Sequence, residues 1–263
     1  MMNIDLKNKQ AIVCGSTQGI GKAVAIELAN LGASITLIAR NEESLKKTKQ
    51  ELSTQHGQLH SYVCVDFSKP DELKSLLDAY LQRQPIVHIL VNNTGGPPSG
   101  PIASAKPEEF LAAFNNHLIC NHILTQACAE GMKNAKYGRV INIISTSVKL
   151  PLANLGVSNT IRAAVANWSK TMANELGKFN ITVNNVLPGA TSTARLQTII
   201  ENKAVKINHG IEDVSAEMMA EIPMGRFAEA SEIANAVAFL ASPAASYING
   251  INLPVDGGRT GCL

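Results

Sequence analysis

Seven short runs rich in β-branched residues are spread along the whole chain, and amphipathic stretches separate most of them. These runs are QAIVCG, ASITLIAR, LHSYVCVDF, IVHILVNN, GRVINIIS, ITVNNVLPG and INLPVDGG. A strand, a helix and a further strand, repeated in this way, predict a parallel sheet whose two faces are both covered by helices. The predicted fold class is therefore α/β.

The chain has the size and composition of one globular domain. It has 263 residues, of which 45% are hydrophobic and 17% are charged, enough to bury a continuous core. No internal repeat, low-complexity tract or linker rich in proline and glycine interrupts it, so we predict a single domain over 1–263. Within it, the segment 192–225 has the least regular pattern, and we interpret it as a lid or substrate loop.

Charge and cysteine content argue against several classes of function. The formal net charge is +2 and basic residues form no run, which argues against nucleic acid as a partner. The first residues lack the layout of a signal peptide, and no apolar run approaches the roughly 18 residues that span a bilayer, so we expect a cytoplasmic protein without membrane contact. The five cysteines form no CxxC pair, and His117, Cys120 and His122 do not share one helix face, so we predict neither disulfides nor a metal site.

A glycine-rich turn, CGSTQGIG, connects the first predicted strand to the first predicted helix. Gly15 would permit a tight turn after the strand, Gly19 would let the backbone approach a pyrophosphate, and Gly21 would let the helix pack closely on the sheet. The helix N-terminus adds free N–H groups and a partial positive charge. The apolar stripe of this helix is Ile20, Val24, Leu28 and Leu31, and Gly32 follows as its predicted cap. Strand, turn and helix together predict a dinucleotide-binding site.

The end of the second predicted strand indicates which dinucleotide would bind. A carboxylate at this point would accept hydrogen bonds from a free ribose 2′-hydroxyl, but the sequence has Ala39 and then Arg40. A guanidinium can bind a 2′-phosphate through two N–H groups, and a carboxylate would repel it. The sequence therefore favours NADP over NAD. The alternative is that Arg40 is a solvated residue at the end of a strand.

Several separate motifs make the sequence resemble the short-chain dehydrogenase/reductase family over nearly its whole length. CGSTQGIG is similar to the family's TGxxxGIG, and NNTG at 92–95 is similar to its NNAG. Asp66 ends the third predicted strand, where the family has an aspartate near the adenine, and Pro188, Gly189 and Thr193 resemble its PGxxxT segment. IPMGRFAEASEIANAVAFLAS and INGINLPVDGG are similar to the family's C-terminal helix and last strand.

The resemblance implies a Rossmann-type, doubly wound parallel sheet of seven strands with helices on both faces, and a nicotinamide cofactor across its carboxyl edge. It also implies a small carbonyl or alcohol as substrate, and a homotetramer or homodimer. The residues implied to bind NADP(H) are Gly15, Ser16, Thr17, Gln18, Gly19, Ile20, Gly21, Arg40, Asp66, Phe67, Asn93, Thr94, Gly95, Arg162, Pro188, Gly189 and Thr193.

The catalytic pattern of the family is broken in this chain. The family uses an asparagine, a serine, a tyrosine and a lysine, the last two as YxxxK. Ser145 matches the serine, but the positions of the tyrosine and the lysine hold Ser158 and Arg162. The asparagine falls on His117, or on Asn116 if the alignment slips by one residue.

These replacements change how a proton can be supplied. The Ser158 hydroxyl does not titrate in the accessible range, and the Arg162 guanidinium does not release a proton. His117 is one alternative donor because an imidazole near its reference pKa of about 6.5 can donate at neutral pH. Lys149 is a second and water a third. The alternative for His117 is a helix histidine bonded to a backbone carbonyl. The alternative for Lys149 is a solvated lysine on the surface.

Two functions from different classes follow. The first is an NADP(H)-dependent oxidoreductase with an atypical active site, similar to a 3-oxoacyl carrier-protein reductase. In it, Ser145 polarises the carbonyl, Ser158 and Arg162 hold ribose or substrate, and His117 or water supplies the proton. The second is a non-catalytic NADP(H)-binding sensor or assembly subunit.

Overall fold

In a computed structural model that describes residues 2–262, the seven predicted runs form one sheet in which all neighbouring strands are parallel. The strands are β1 (Gln10–Cys14), β2 (Ser34–Ala39), β3 (Ser61–Cys64), β4 (Ile89–Asn92), β5 (Gly138–Ile143), β6 (Ile181–Pro188) and β7 (Asn252–Val255). Their order is β3-β2-β1-β4-β5-β6-β7. This confirms the predicted Rossmann-type α/β fold.

The helices cover both faces of the sheet. They are α1 (Gly19–Asn30), α2 (Glu42–Gln50), α3 (Pro70–Arg83), α4 (Pro107–Phe114), α5 (Cys120–Ala135), α6 (Gly156–Leu176), α7 (Ala194–Ile207), α8 (Ile211–Ala220) and α9 (Ala230–Ala241). Ala11 and Val13 of β1 pack in one core with α1 and α9, whereas Ile12 and Cys14 pack in the other with α3 and α5. Successive side chains of a strand point to opposite faces, so a continuous apolar run fits a sheet that is buried on both sides.

The order of the strands places a crevice at the carboxyl edge. β1 has β2 on one side and β4 on the other. The chain therefore builds the sheet outwards from β1 in one direction through β2 and β3, and in the opposite direction through β4 to β7. Ligands of open α/β sheets bind at such a switch point. The fold therefore directs the glycine-rich turn after β1 and the NNTG segment after β4 to the same crevice.

The segment 192–225 differs from the predicted loop because it is mostly helical. It contains α7 and α8, joined through Asn208, which has a left-handed φ of 52°. Leu196, Ile200 and Ala204 form a buried stripe on α7 and pack with Val214 of α8. The polar residues between these positions obscured the helical period in the sequence.

Three other predictions concern the membrane, the number of domains and the oligomeric state. None of the helices in the described residues 2–262 is long and apolar enough to cross a membrane. The single domain over 1–263 and the homotetramer or homodimer stay predictions.

Candidate active site

The turn between β1 and α1 has the geometry that a dinucleotide site requires. Gly15 and Gly19 have φ values of +57° and +51°, in the left-handed region that favours glycine. A Cβ on Gly21 would lie 2.1 Å from the Gly15 carbonyl oxygen, so a larger residue would push α1 away from the turn. Gln18 precedes α1 without a side-chain capping bond, which leaves the first helical N–H groups available to an anion. These residues fit a pyrophosphate.

A pocket of about 880 Å³ extends from this turn along the carboxyl edge of the sheet. The predicted site residues in its lining are Gly15, Thr17, Gln18, Gly19, Ile20, Arg40, Asp66, Phe67, Asn93, Thr94, Gly95, His117 and Thr193. Asn116, the alternative to His117 in the alignment, also lines it. This volume lies within the range of small-molecule and cofactor sites, roughly 300–1,000 Å³. The fold thus brings together residues that are widely separated in the sequence.

Arg40 and Asp66 lie at one end of this pocket, just after β2 and β3. Arg40 is exposed and takes part in none of the salt bridges among residues 2–262. The backbone N–H of Ser68 donates to Asp66 Oδ1 over 2.9 Å, and this bond lowers the pKa of Asp66 more than burial raises it. The charge of Arg40 acts in the same direction as this bond. This end of the pocket therefore has one ionised carboxylate and one available guanidinium.

Asn93 and Thr193 fix the walls of the pocket around the glycine turn. The amide Nδ2 of Asn93 donates to the carbonyl oxygens of Cys14 (3.2 Å) and Gly15 (3.3 Å), so it ties the end of β4 to the turn. Thr193 is the N-cap of α7, and a Cβ on Gly19 would lie 3.2 Å from its Cγ2 atom. A side chain at position 19 would therefore narrow the space between the turn and α7.

Five residues that the resemblance assigned to the cofactor lie outside the pocket lining: Ser16, Gly21, Arg162, Pro188 and Gly189. Ser16 is buried and its hydroxyl donates to the Ile38 carbonyl over 3.4 Å. A Cβ on Gly189 would lie 2.7 Å from Asp256 Cα, so this glycine lets the chain after β6 pass close to the end of β7. Direct contact of these residues with a cofactor stays a prediction.

Ser145, Ser158 and Arg162 come together at the carboxyl end of β5, also outside the pocket lining. Nη1 of Arg162 donates to the two backbone carbonyls that directly precede Ser145, over 3.1 and 2.9 Å, and its Nε donates to Ser158 Oγ over 3.3 Å. The Oγ of half-buried Ser145 accepts the Ser147 N–H over 3.1 Å, which leaves its own O–H free to donate. The contacts of this group with ribose or substrate stay predictions.

His117 lies in a π-helical turn, Asn115–Ile119, that joins α4 to α5. Such turns are often found at functional sites. Its Nδ1 atom lies 2.6 Å from the hydroxyl of Thr94. Burial, and then the charges of Arg162 and Arg195, lower the pKa of His117 to about 3. The ring is therefore neutral at pH 7, in contrast to the imidazole with an ordinary pKa that we expected from the sequence.

Comparison with known proteins decides the family. A model of the family described as Enoyl-(Acyl carrier protein) reductase matches residues 15–260. The chain is 30% identical over 254 residues to the NADPH-dependent reductase BacG of Bacillus subtilis (96% of this chain, 98% of that protein), and 32% identical over 259 residues to the 3-oxoacyl-[acyl-carrier-protein] reductase FabG of Pseudomonas aeruginosa (97% and 98%). The chain belongs to the short-chain dehydrogenase/reductase family.

A solved structure extends this comparison to the fold. The crystal structure of L-sorbose reductase from Gluconobacter frateurii, complexed with NADPH and L-sorbose, is similar with a TM-score of 0.93 and 29% identity over 100% of both chains. The resemblance seen in the sequence is therefore confirmed at the level of the family, and this short-chain dehydrogenase/reductase is of the oxidoreductase class.

Sequence reasoning missed one basic residue of this short-chain dehydrogenase/reductase. Arg195, in the first turn of α7, lines the pocket beside Gly96 and Pro97. Its Nη1 donates to the Gly96 carbonyl over 3.1 Å and its Nη2 to the Pro97 carbonyl over 3.2 Å. The first of these bonds joins residues 99 positions apart, and no local pattern reveals such a contact.

An asparagine ladder beneath the pocket was also missed. The amide of Asn92 donates to Asn142 (2.9 Å), Asn142 donates to Asn185 (2.9 Å), and Asn185 donates to Asn252 (2.8 Å). These residues face one another across four neighbouring strands, β4 to β7. An asparagine in each of these four runs was the signal in the sequence. The ladder helps to fix the register of the strands whose ends form the site.

Proposed function

We propose that this protein is an NADP(H)-dependent oxidoreductase with an atypical active site, which reduces a carbonyl or oxidises an alcohol of a small molecule. The observation that supports it is the pocket at the carboxyl edge, in which the uncapped N-terminus of α1 and the guanidinium of Arg40 line one space. A helix N-terminus and an unpaired arginine are two separate sites for phosphate groups. NADP(H) has phosphate groups at two such places, the pyrophosphate and the ribose 2′-phosphate.

Two further observations favour NADP(H) over NAD(H). β2 ends at Ala39 and Arg40 follows it, so neither position has a carboxylate to accept a free 2′-hydroxyl or to repel a 2′-phosphate. Among the relatives, BacG is named an NADPH-dependent reductase and the L-sorbose reductase was solved with NADPH. We infer the same cofactor for this chain.

The cofactor supplies a hydride when bound, so the chain has to orient the substrate and provide for a proton. Ser145 has a free O–H that is suited to polarise a carbonyl oxygen. His117 is neutral at pH 7 because its pKa is about 3, so it can donate a hydrogen bond but is no imidazolium acid. We therefore assign the proton to water. The lack of a positioned acid lowers the rate by about 10²- to 10⁴-fold.

A second candidate is a non-catalytic NADP(H)-binding sensor or assembly subunit. The observation that favours it is the packing of Arg162, whose Nε and Nη1 groups are bonded to Ser158 and to backbone carbonyls of its own chain. A guanidinium held in this way fixes the end of β5 but relays no proton. In this alternative the cofactor pocket is retained and turnover is lost.

The first experiment is a fluorescence titration of the full chain with NADPH and, in parallel, with NADH. We expect micromolar binding of NADPH and binding of NADH that is at least about tenfold weaker. Arg40→Ala removes this preference, whereas Arg83→Ala, on the exposed surface of α3, retains it. No binding of either nucleotide overturns both candidate functions.

Transfer of deuterium separates the enzyme from the sensor. NADPH labelled with deuterium is incubated with the protein and a panel of small carbonyl compounds, and the products are examined by mass spectrometry. Stereospecific incorporation supports the oxidoreductase, and tight binding without incorporation supports the sensor. A gain of rate in the double variant Ser158→Tyr with Arg162→Lys would show that the scaffold lacks only its acid and its relay.

A further inference from the structure

Two arginines approach Gly96, Arg195 in the lining of the pocket and Arg162 outside it. A Cβ on Gly96 would lie 2.6 Å from Nη2 of Arg195 and 3.4 Å from Nη2 of Arg162. Both guanidinium groups therefore approach the same small space, which stays open because residue 96 has no side chain. Arg195 comes from α7 and Arg162 from α6, so the fold brings these two cations together over a long separation in sequence.

Both arginines keep N–H groups that are available to a ligand. Arg195 uses Nη1 and Nη2 once each, for the Gly96 and Pro97 carbonyls, which leaves three of its five N–H groups. Arg162 uses Nε and Nη1, and its Nη2 donates no hydrogen bond within the described residues. Arg195 is exposed and accessible from the pocket, whereas Arg162 is buried. The available N–H groups therefore include those on Nη2 of Arg162, the atom that lies near Gly96.

No carboxylate balances this pair within residues 2–262. Neither arginine takes part in a salt bridge there. The acidic residues that line the pocket are Asp66, Glu108 and Glu109, and none of them forms a salt bridge with either arginine. Asp66 is bonded to the Ser68 N–H and Glu109 to the Lys106 N–H. Burial, and then the charge of Arg195, lower the pKa of Arg162 to about 10, so Arg162 remains charged at neutral pH. The Arg195 guanidinium is charged as well, because arginine is not deprotonated in proteins. Two neighbouring cations without a counter-ion favour a bound anion.

The pair lies beside the end of β5 that holds the residue assigned to the substrate carbonyl. The carbonyl groups that hold Arg162 belong to Ile143 and Ile144, directly before Ser145, the residue to which we assign polarisation of the substrate. An anionic group near Gly96 is therefore close to the end of β5 that carries Ser145. A small oxo acid has both groups that these residues would bind, a carbonyl for Ser145 and a carboxylate for the arginine pair.

We propose that the substrate is a small 2-oxo or 3-oxo carboxylic acid, or the corresponding hydroxy acid, and that Arg195 is the residue that binds its carboxylate. Arg162 supports this site from behind through its charge and its free Nη2. A planar guanidinium binds a carboxylate through two parallel hydrogen bonds, which orients the acid as well as holding it. The inference rests on the proposed oxidoreductase function and specifies its substrate class.

The test compares acids with neutral esters that have the same carbonyl group. The probes are 2-oxobutanoate and acetoacetate, each against its methyl ester, measured by calorimetry with NADP⁺ present and with no nucleotide, and by turnover with NADPH. The variants are Arg195→Gln and Gly96→Ala, whose Cβ would displace the Arg195 guanidinium. Arg83→Gln removes the same charge from an exposed site on α3 and is the matched control.

We expect the wild type and Arg83→Gln to bind at least one acid about tenfold more tightly than its ester. Arg195→Gln and Gly96→Ala bring this ratio close to one. Equal binding of acid and ester by the wild type, or a ratio that Arg195→Gln leaves unchanged, overturns the proposal. A loss of NADPH affinity in Arg195→Gln without any acid preference would show that the anion is a phosphate of the dinucleotide, which also overturns it. Failure of NADPH to bind instead removes the proposed function, and the measurements without nucleotide still test the carboxylate site.

Discussion

The Nδ1 atom of His117 lies 2.6 Å from the Oγ1 atom of Thr94, so the imidazole is held by a hydroxyl rather than by a carboxylate. A carboxylate would raise the pKa of the ring, whereas burial and the two arginines nearby lower it to about 3. The ring therefore stays neutral in the folded protein at pH values where an unfolded chain, with a pKa of about 6.5, already binds a proton.

This difference predicts how stability depends on pH. Below about pH 6.5 the unfolded state binds a proton that folded His117 excludes, so the free energy of unfolding falls as pH falls, by up to about 1.4 kcal/mol per pH unit. Between about pH 7 and about pH 5 this amounts to about 2 kcal/mol. Urea unfolding of the wild type and of His117→Gln at both pH values measures it.

The variant should lose less stability than the wild type over this interval. His88, whose pKa burial lowers to about 4, is present in both proteins, so its contribution cancels in the comparison. Equal losses in the two proteins would contradict the low pKa of His117.

Gly21→Ala tests the packing of α1 on the glycine turn. The added Cβ would lie 2.1 Å from the Gly15 carbonyl oxygen and 2.6 Å from Asn93 Nδ2. To relieve the first contact the backbone itself would have to shift, which costs stability. We expect a loss of about 1–3 kcal/mol in stability and a loss of NADPH binding. Thermal unfolding and fluorescence titration measure the two effects. Gly100→Ala, whose Cβ would meet no heavy atom within 4 Å, is the control and should retain both properties.

Arg40→Asp should reverse the nucleotide preference. The new carboxylate would repel a 2′-phosphate and accept hydrogen bonds from a free 2′-hydroxyl, so the Kd for NADPH rises at least about tenfold and the Kd for NADH falls. Titration with both nucleotides measures this. Lys47→Asp makes the same change of charge on the exposed side of α2 and should leave the ratio unchanged. If both variants behave alike, Arg40 acts only through the overall charge.

The parts of this protein that could be predicted from the sequence are those determined by local pattern. The strands are short runs rich in β-branched residues, and the glycine turn has its own spacing, so both were located correctly. The helices α7 and α8 were missed because polar residues separate the buried residues Leu196, Ile200 and Ala204 and obscure the helical period.

Other properties of the site depend on contacts between distant residues. The pKa of His117 depends on its burial and on the charges of Arg162 and Arg195. Neither arginine is near His117 in the sequence. The meeting of Arg195 with Gly96 depends on how α7 lies across the carboxyl edge. A motif indicates the chemistry of each residue, but the burial and the charges around that residue follow only from the folded structure.

Asn142→Ala tests whether the asparagine ladder supports the site. Asn142 accepts from Asn92 and donates to Asn185 and to the Ser169 hydroxyl, so its truncation removes a partner from one buried donor and from two buried acceptors. We expect a loss of about 2–4 kcal/mol in urea unfolding, because each buried unsatisfied group costs about 1–3 kcal/mol. Asn167→Ala, on the exposed side of α6, is the matched control and should change stability by less than about 0.5 kcal/mol. Equal unfolding curves for the two variants would show that the ladder does not stabilise the strands whose ends form the pocket.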